Sequence, residues 1–424
     1  MPQTLLIVEE SLRDLKAHWF AYIKTITQAA QLQGDQVDVA CHCKAVPEIR
    51  HQFNSFPVFR YARYLDNATK SSATSSILKK WGDRYYGFIL HSWRCIQALW
   101  PLLAQQPRYD QALAPTVLVH HLLAWWAIMS LHPHRPRRLT LFFVTNPGIW
   151  NATEQQGILP ASLNTKLQGW LLRRFKRLVA QNKVRLAVET QGAQKEFEAL
   201  SQLPVVLMTH PVPALPINAA ANHLQAPLTF ACYGFARYEK GSDILKAAIE
   251  RLLEKHPSFT GQFRIQWLES FALPDGMRCS PESLQRYPQV NVIDYPLDSE
   301  SYQKQLQSVD CMILPYRNSS YYARVSRIAI ESAYLGIPMI YTRGGWLEDT
   351  VSAFGAGIAI PDESPDQSPD QSPDQSPDDW VDKLVQAIEK MAVEYPHYRH
   401  QALKNMDRAK HYFSADYFYQ QMFN

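Results

Sequence analysis

Short apolar runs alternate with amphipathic helical patterns along nearly all of this 424-residue chain, and no other feature limits its fold as strongly. In the first half, strands are expected at Leu5–Val8, Val37–Ala40, Ala112–Ala114, Leu139–Val144, Leu186–Val188 and Val205–Met208. Helical patterns fill 15–32, 90–104, 121–131, 164–181 and 192–200. A helix between successive strands makes them parallel, which predicts a doubly wound α/β sheet. The stretch "THPVPALPINAAANHLQAPL" (209–228) carries four prolines and breaks the rhythm. Alternation then restarts with strands at Thr229–Tyr233, Arg264–Leu268, Val290–Ile293, Cys311–Leu314 and Met339–Tyr341, and helices over 242–255, 300–308 and 325–335. The expected architecture is therefore two doubly wound, Rossmann-like α/β domains, 1–208 and 229–413, joined by the linker 209–228. Ligands of such sheets sit outside the carboxyl ends of the strands, which directs attention to the cleft expected between the lobes.

Two segments stand outside that pattern. "SPDQSPDQSPDQSPDD" (364–379) repeats a tetrapeptide with a proline in every unit and no apolar side chain. Such a composition supports neither helix nor core, so a disordered surface insertion is expected, and its deletion should leave folding and activity nearly intact. The chain resumes helically at Trp380–Met391 and ends in an aromatic-rich helix over 414–424, opened by Ser414 as a candidate N-cap.

Composition excludes several classes. With 43 basic and 39 acidic residues the net charge is only +4, far from the dense basic stripe of a dedicated nucleic-acid binder. The six cysteines are scattered, and Cys41-His42-Cys43 lacks the paired spacing of a zinc site, so reduced thiols in a cytoplasmic protein are expected. No signal-peptide pattern opens the chain, and "TVLVHHLLAWWAIMSL" is too short and too polar to span a bilayer. The helix "WLLRRFKRLVAQNK" carries Leu171, Phe175, Leu178 and Val179 on one face and Arg173, Arg174, Lys176 and Arg177 on the other. That is either a solvated outer face or a peripheral attachment to anionic membrane.

The chemistry concentrates in "TFACYGFARYEKGSDILKAAIERL" (229–252). A strand ends at Gly234, a basic loop with Arg237 and Lys240 follows, and Gly241-Ser242 opens an amphipathic helix. Free N–H groups and the helix dipole favour an anion there, and the two cations supply countercharge for a diphosphate. Alone, such a loop is as easily a solvated basic turn.

Downstream come "SVDCMILPYRNSS", a helix bearing Glu331, and "GIPMIYTRGGWLED". In this order the stretch resembles the C-terminal lobe of GT-B-fold glycosyltransferases, family 4 type, over roughly 227–360. Gly234, Lys240 and Gly241 match that family's G-R-x-x-x-x-K-G loop. Glu331 matches the second glutamate of its E-x7-E motif, Gly336-Ile337-Pro338 its G-x-P, and Gly344-Gly345-Trp346-Leu347-Glu348 its G-G-x-x-E. The resemblance implies that Glu331 accepts hydrogen bonds from a donor's ribose, with an ionised carboxylate facing the cleft. It also implies that Gly344 and Gly345 line the donor site.

Two departures accompany the match. The first acidic position is Ala323, and the arginine after the loop glycine is Phe235. Arg237 is placed to reach the same diphosphate, and Arg324 and Ser326 are candidates for the missing contacts; plain surface charge is the alternative for Arg324 and Arg327. In the first lobe "VEESLRDLKAHWFAY" lacks the family's glycine-rich loop. There His18, at the start of a helix, and His120-His121 are candidates to face a donor sugar, and Asn146 to line the acceptor side; each histidine has a structural alternative.

The implied activity is transfer of a hexosyl group from a nucleotide diphosphate sugar to a carbohydrate or lipid-linked acceptor hydroxyl. Lys240, Arg237, Glu331 and His18 are its catalytic candidates. The resemblance also implies that no cofactor or catalytic metal is needed, and no Asp-x-Asp site speaks against this: the aspartates of the SPDQ repeats stand four apart. A sugar-nucleotide-binding protein without catalysis and a GT-B-fold epimerase are the alternatives.

Overall fold

The computed structural model describes residues 2–15, 18–62, 77–215, 227–362 and 377–423. In chain order the first part forms β1 (Thr4–Val8), α1 (His18–Leu32), β2 (Gln36–His42), α2 (Pro47–Gln52), β3 (Asn54–Phe59), α3 (Ile77–Gln105), β4 (Gln111–Ala114), α4 (Val119–Leu131) and β5 (Arg138–Phe143). The hairpin β6 (Ile149–Asn151) and β7 (Gln156–Ile158) precedes α5 (Leu163–Arg173), α6 (Lys176–Ala180), β8 (Val184–Val188), α7 (Gln191–Ser201) and β9 (Val205–Leu207). The strands other than the hairpin form one parallel sheet in the order β3-β2-β1-β4-β5-β8-β9. Its core is what the strand runs demand: Leu5, Ile7, Val37, Val39, Ile23 and Ile26 are buried between β1, β2 and α1.

The second sheet is built the same way. β10 (Thr229–Cys232), α8 (Ser242–Lys255), β11 (Gln262–Gln266), the small pair β12 (Phe271–Ala272) and β13 (Arg278–Cys279), and β14 (Val290–Ile293) lead into α9 (Ser299–Gln307) and β15 (Cys311–Leu314). Then follow α10 (Asn318–Tyr321), α11 (Arg327–Tyr334), β16 (Met339–Thr342), α12 (Gly345–Phe354), β17 (Gly357–Ile360), α13 (Pro377–Tyr412) and α14 (Ala415–Phe423). The main strands are parallel in the order β14-β11-β10-β15-β16-β17. Phe230, Phe263, Leu245, Ile249 and Leu384 lie in its core.

In both sheets the chain winds outward from the first strand on one side and then returns to its other side. The switch points are β1/β4 and β10/β15. A crevice opens at such a point because the two connections leave on opposite faces of the sheet.

Two compact units result: Met1–Gly148, Leu159–Pro213 and Ala415–Asn424 make the first, Ile149–Ile158 and Ala214–Ser414 the second. The hairpin, inside the stretch 1–208, thus groups with the second sheet, and α14 groups with the first. α14 is tied there by Tyr419 Oη donating to Asp35 and by Arg185 Nη1 donating to the Gln421 carbonyl.

Several local expectations change. The single helix expected over 164–181 breaks at Arg174–Phe175 into α5 and α6, yet the facing survives: Leu171, Phe175 and Leu178 are buried, and Arg173, Arg174, Lys176 and Arg177 are exposed. Of the repeat, residues 364–376 lie outside the described residues, as do 216–226 of the linker. Pro377, Asp378 and Asp379, expected to be part of the insertion, instead start α13. Proline at a first helical position followed by carboxylates is a favourable helix start. All six cysteines are free thiols, and Cys41, Cys232, Cys279 and Cys311 sit on strands. Among the described residues no helix is long and apolar enough to cross a membrane.

Candidate functional site

Beyond β10 the chain must turn at once into α8, and two glycines make the turn. Gly234 has φ +88°, and a Cβ added there would stand 2.5 Å from Lys240 Nζ, so the missing side chain leaves the space that the ammonium fills. Gly241 has φ +64° and backs onto the Pro315 carbonyl with no room for a Cβ. Between them Tyr238–Lys240 forms one 3-10 turn. Ser242 Oγ accepts the Arg237 N–H at 3.0 Å, and Gln266 Oε1 accepts the Gly234 N–H at 2.7 Å. The loop is therefore pinned at both ends.

Lys240 is half-buried, 5.9 Å above the Tyr316 ring, and no carboxylate pairs with it at ion-pair distance among the described residues. Burial lowers its pKa from that of an exposed lysine. A cation kept from water without a partner is what an incoming phosphate would relieve. Arg237 is exposed and leans on Glu239 at 3.5 Å and on the Phe235 ring.

Sequence spacing gave no sign of Arg317. Its guanidinium is buried and grips Asp243 in the first turn of α8 with two hydrogen bonds of 2.8 and 2.7 Å. It also donates to the Tyr238 carbonyl and lies over the Tyr238 ring. The Arg317 N–H donates to the Glu239 carbonyl at 3.0 Å. Arg317, three residues beyond the end of β15, thus fastens the Lys240 turn to α8.

On the other side of the switch point, Ser326 is the N-cap of α11, its Oγ accepting the Ala329 N–H at 3.4 Å. That hydroxyl already serves the helix. Arg324 is exposed just before it, and Ala323 is buried. Glu331 is only 1% exposed. Tyr302 Oη donates to its Oε2 at 2.5 Å and Arg327 Nε to its Oε1 at 2.8 Å. Burial and the Glu331 carboxylate together raise the Tyr302 pKa well above its ordinary value, which keeps the phenol a donor. Glu331 thus lies in the interior of the unit rather than on a solvated helix face, and both of its oxygens already have protein partners. At the next strand end Gly344 donates its N–H to Glu348 Oε2 at 2.8 Å, capping α12, and Asn318 Nδ2 donates to the Arg343 carbonyl at 2.7 Å. Trp150 of the β6–β7 hairpin stacks near Tyr322, with centroids 5.3 Å apart.

At the β1/β4 switch point of the first sheet, Glu9 and Glu10 occupy the place where the glycine-rich loop is absent. Burial raises the Glu9 pKa to about 7, although Thr116 and the Ser11 N–H oppose the shift. Burial also works against ionising Glu10, but the rings of His121 and His91 outweigh it and hold that carboxyl well below the usual range. His121 therefore sits in a buried network rather than facing a ligand alone, and His120 packs its ring near Phe88 and His91. Asn146 donates to Glu196 Oε2 at 3.1 Å. His18 opens α1, and its side chain lies outside what the structure describes.

Solved structures built from two doubly wound sheets of this kind exist. Sucrose-phosphate synthase from Thermosynechococcus elongatus superposes with a TM-score of 0.62 at 15% identity, over 99% of this chain and 97% of that one. The fold is GT-B. HepE from Anabaena, solved with UDP and glucose, matches with a TM-score of 0.58 at 12% identity over 99% and 98% of the two chains. The catalytic domain of starch synthase IV from Arabidopsis thaliana, bound to ADP and acarbose, gives 0.56 at 11% over 99% of each. No protein-family profile matches the sequence, and no curated protein sequence matches it.

Within this GT-B chain the second unit brings Gly234, Lys240, Gly241 and the start of α8 together at one strand end. It places Ser326 and Glu331 at the neighbouring one. Changing Gly234→Ala is expected to cost about 1–2 kcal/mol of stability, because φ +88° disfavours a Cβ. The added methyl should also push Lys240 aside, so that an anion bound there is held less tightly. Urea denaturation of the variant, with calorimetric titration of a nucleoside diphosphate, checks both effects.

Proposed function

We propose that this chain is a glycosyltransferase that moves a hexosyl group from a nucleotide diphosphate sugar to a hydroxyl of a carbohydrate or lipid-linked acceptor. The observation that carries the reading is Lys240: a half-buried ammonium with no ion-pair partner among the described residues, beneath a side-chain-free Gly234 and beside the N-terminus of α8. A diphosphate leaving group gains negative charge as the glycosidic bond breaks. A fixed cation and free helix N–H groups at its position stabilise that charge without reorganising. Arg237 and Arg324, both exposed near the two strand ends, supply mobile countercharge. Neighbours of the same fold were solved with UDP and glucose and with ADP and acarbose, which supports a nucleotide-sugar donor.

Incubating the chain with UDP-, ADP- and GDP-hexoses and a panel of acceptors, and following nucleoside diphosphate release, tests the proposal. Acceptor-dependent release is expected for one base; failure of every nucleoside diphosphate to bind would end it. Lys240→Ala should weaken nucleoside diphosphate binding by about 1.5–3 kcal/mol and leave nucleoside binding nearly unchanged. Equal affinities of wild type and variant would remove Lys240 from the site.

A second reading has its own observation. Ala323 is buried where the resembling family has a carboxylate, so no acidic group at that position reaches a sugar. A protein that binds a sugar nucleotide without turning it over fits this, and tight binding with no release on any acceptor would favour it.

A further inference from the structure

In the first unit, three elements converge on one buried point. Glu10 follows β1, His91 and Cys95 lie four residues apart on one face of α3, and His121 stands in the first turn of α4. His91 Nε2 lies 3.0 Å from Glu10 Oε2, His121 Nε2 3.2 Å from Glu10 Oε1, and the two ring nitrogens are 3.2 Å apart. Cys95 Sγ is 3.9 Å from Glu10 Oε2. One donor atom from each residue fits within 4.8 Å of all the others, and all four residues are buried.

These separations have a chemical meaning. Around a tetrahedral zinc ion, with bonds of about 2.0–2.1 Å to nitrogen and oxygen and 2.3 Å to sulfur, neighbouring ligand atoms stand roughly 3.2–3.7 Å apart. Two imidazoles hydrogen-bonded to one carboxylate would account for Glu10, His91 and His121. They do not account for a thiol brought in from the next turn of α3. A cavity of about 20 Å³, with room for about one water, adjoins the cluster and is bordered by Glu10, Cys95 and His121 but not by His91. A carboxylate and a thiolate would balance a divalent cation, and two neutral imidazoles complete the set without net charge, as a buried site requires.

We propose that Glu10, His91, Cys95 and His121 bind one divalent transition-metal ion, and that the ion is zinc. Thiolate and imidazole donors select against magnesium and calcium, which require oxygen ligands. Four protein ligands fill a tetrahedral shell, so the ion is structural: it clamps the end of β1 to α3 and α4 rather than activating water. The site stands whether or not the chain transfers sugar. Binding also has a local cost. His121 Nδ1 accepts the Leu118 N–H at 3.0 Å, so in the metal-free chain the ring proton is on Nε2. When the ion takes the Nε2 lone pair, that proton moves to Nδ1 and the Leu118 N–H loses its acceptor, while the Cys95 thiol gives its proton to solvent.

The test uses the full chain, stripped with a chelator and titrated with Zn²⁺ or Co²⁺. One equivalent is expected to bind and raise the melting temperature, and amide exchange at Leu118 should quicken. The cobalt form should show thiolate-to-metal charge-transfer absorption. Cys95→Ser should abolish that absorption and weaken zinc by roughly a hundredfold or more. Cys43→Ser should leave both unchanged. If the wild-type chain takes up no zinc at micromolar concentration, the proposal is overturned whatever the variants do. Zinc binding with the same affinity after Cys95→Ser would overturn it as well.

Discussion

Replacing Arg317 by alanine is expected to destabilise the second unit by about 3–5 kcal/mol, the usual cost of removing one partner from a buried ion pair. The side chains of Arg317 and Asp243 are 4% and 16% exposed, so the abandoned Asp243 carboxylate cannot be fully hydrated. The guanidinium also supports the Tyr238 carbonyl and ring, both in the turn that carries Lys240. Nucleoside diphosphate affinity should therefore fall as well, with nucleoside affinity less affected. Urea denaturation of Arg317→Ala, Asp243→Ala and the double variant measures the coupling, and the double variant should cost clearly less than the two singles added. A loss below about 1 kcal/mol in Arg317→Ala would place the pair with exposed ion pairs of little consequence.

Why Arg317 was not legible beforehand is a matter of distance along the chain. Its partner is 74 residues away, and an arginine in "LPYRNSS" looks like any loop cation. Tyr302 is similarly silent, 29 residues from the carboxylate it meets. Gly234 and Gly241 are legible because a strand-to-helix turn with positive φ requires glycine, and Lys240 because it is a cation standing in the loop between them. The buried Glu10–His91–Cys95–His121 cluster left none, since its donors come from separate elements that only the sheet topology brings together.

The same contrast runs through the fold. Helix 242–255 and strands Val290–Ile293 and Cys311–Leu314 appear with the bounds expected, because each is a clean apolar pattern ended by turn residues. β3 and β17 were not foreseen. Both lie at sheet edges, where one side needs no partner: β3 contains Pro57, and β17 opens on Gly357. α12 was hidden behind the glycine pair that starts it, and α13 runs through Pro396, which reads as a stop.

The remaining large effect is expected at Glu331. If its carboxylate accepts hydrogen bonds from a donor's ribose, Glu331→Gln keeps the shape and loses the charge. Donor binding should then weaken by about 1.5–3 kcal/mol, roughly tenfold to a hundredfold. The structure adds a condition: Tyr302 Oη and Arg327 Nε already occupy one position on each oxygen. A carboxylate oxygen has a second lone pair, so a ribose hydroxyl either adds there or displaces the phenol. Either way Tyr302→Phe, which removes a competing donor, should leave donor affinity unchanged or tighter, while Glu331→Gln weakens it. A 2′,3′-dideoxyribose analogue lacks the hydroxyls, so the glutamine substitution should cost that ligand little. Four affinities, two proteins with two ligands, isolate the contact from the rest of the site. Equal weakening of both ligands, with Tyr302→Phe following the same pattern, would reduce Glu331 to a strut between α9 and α11.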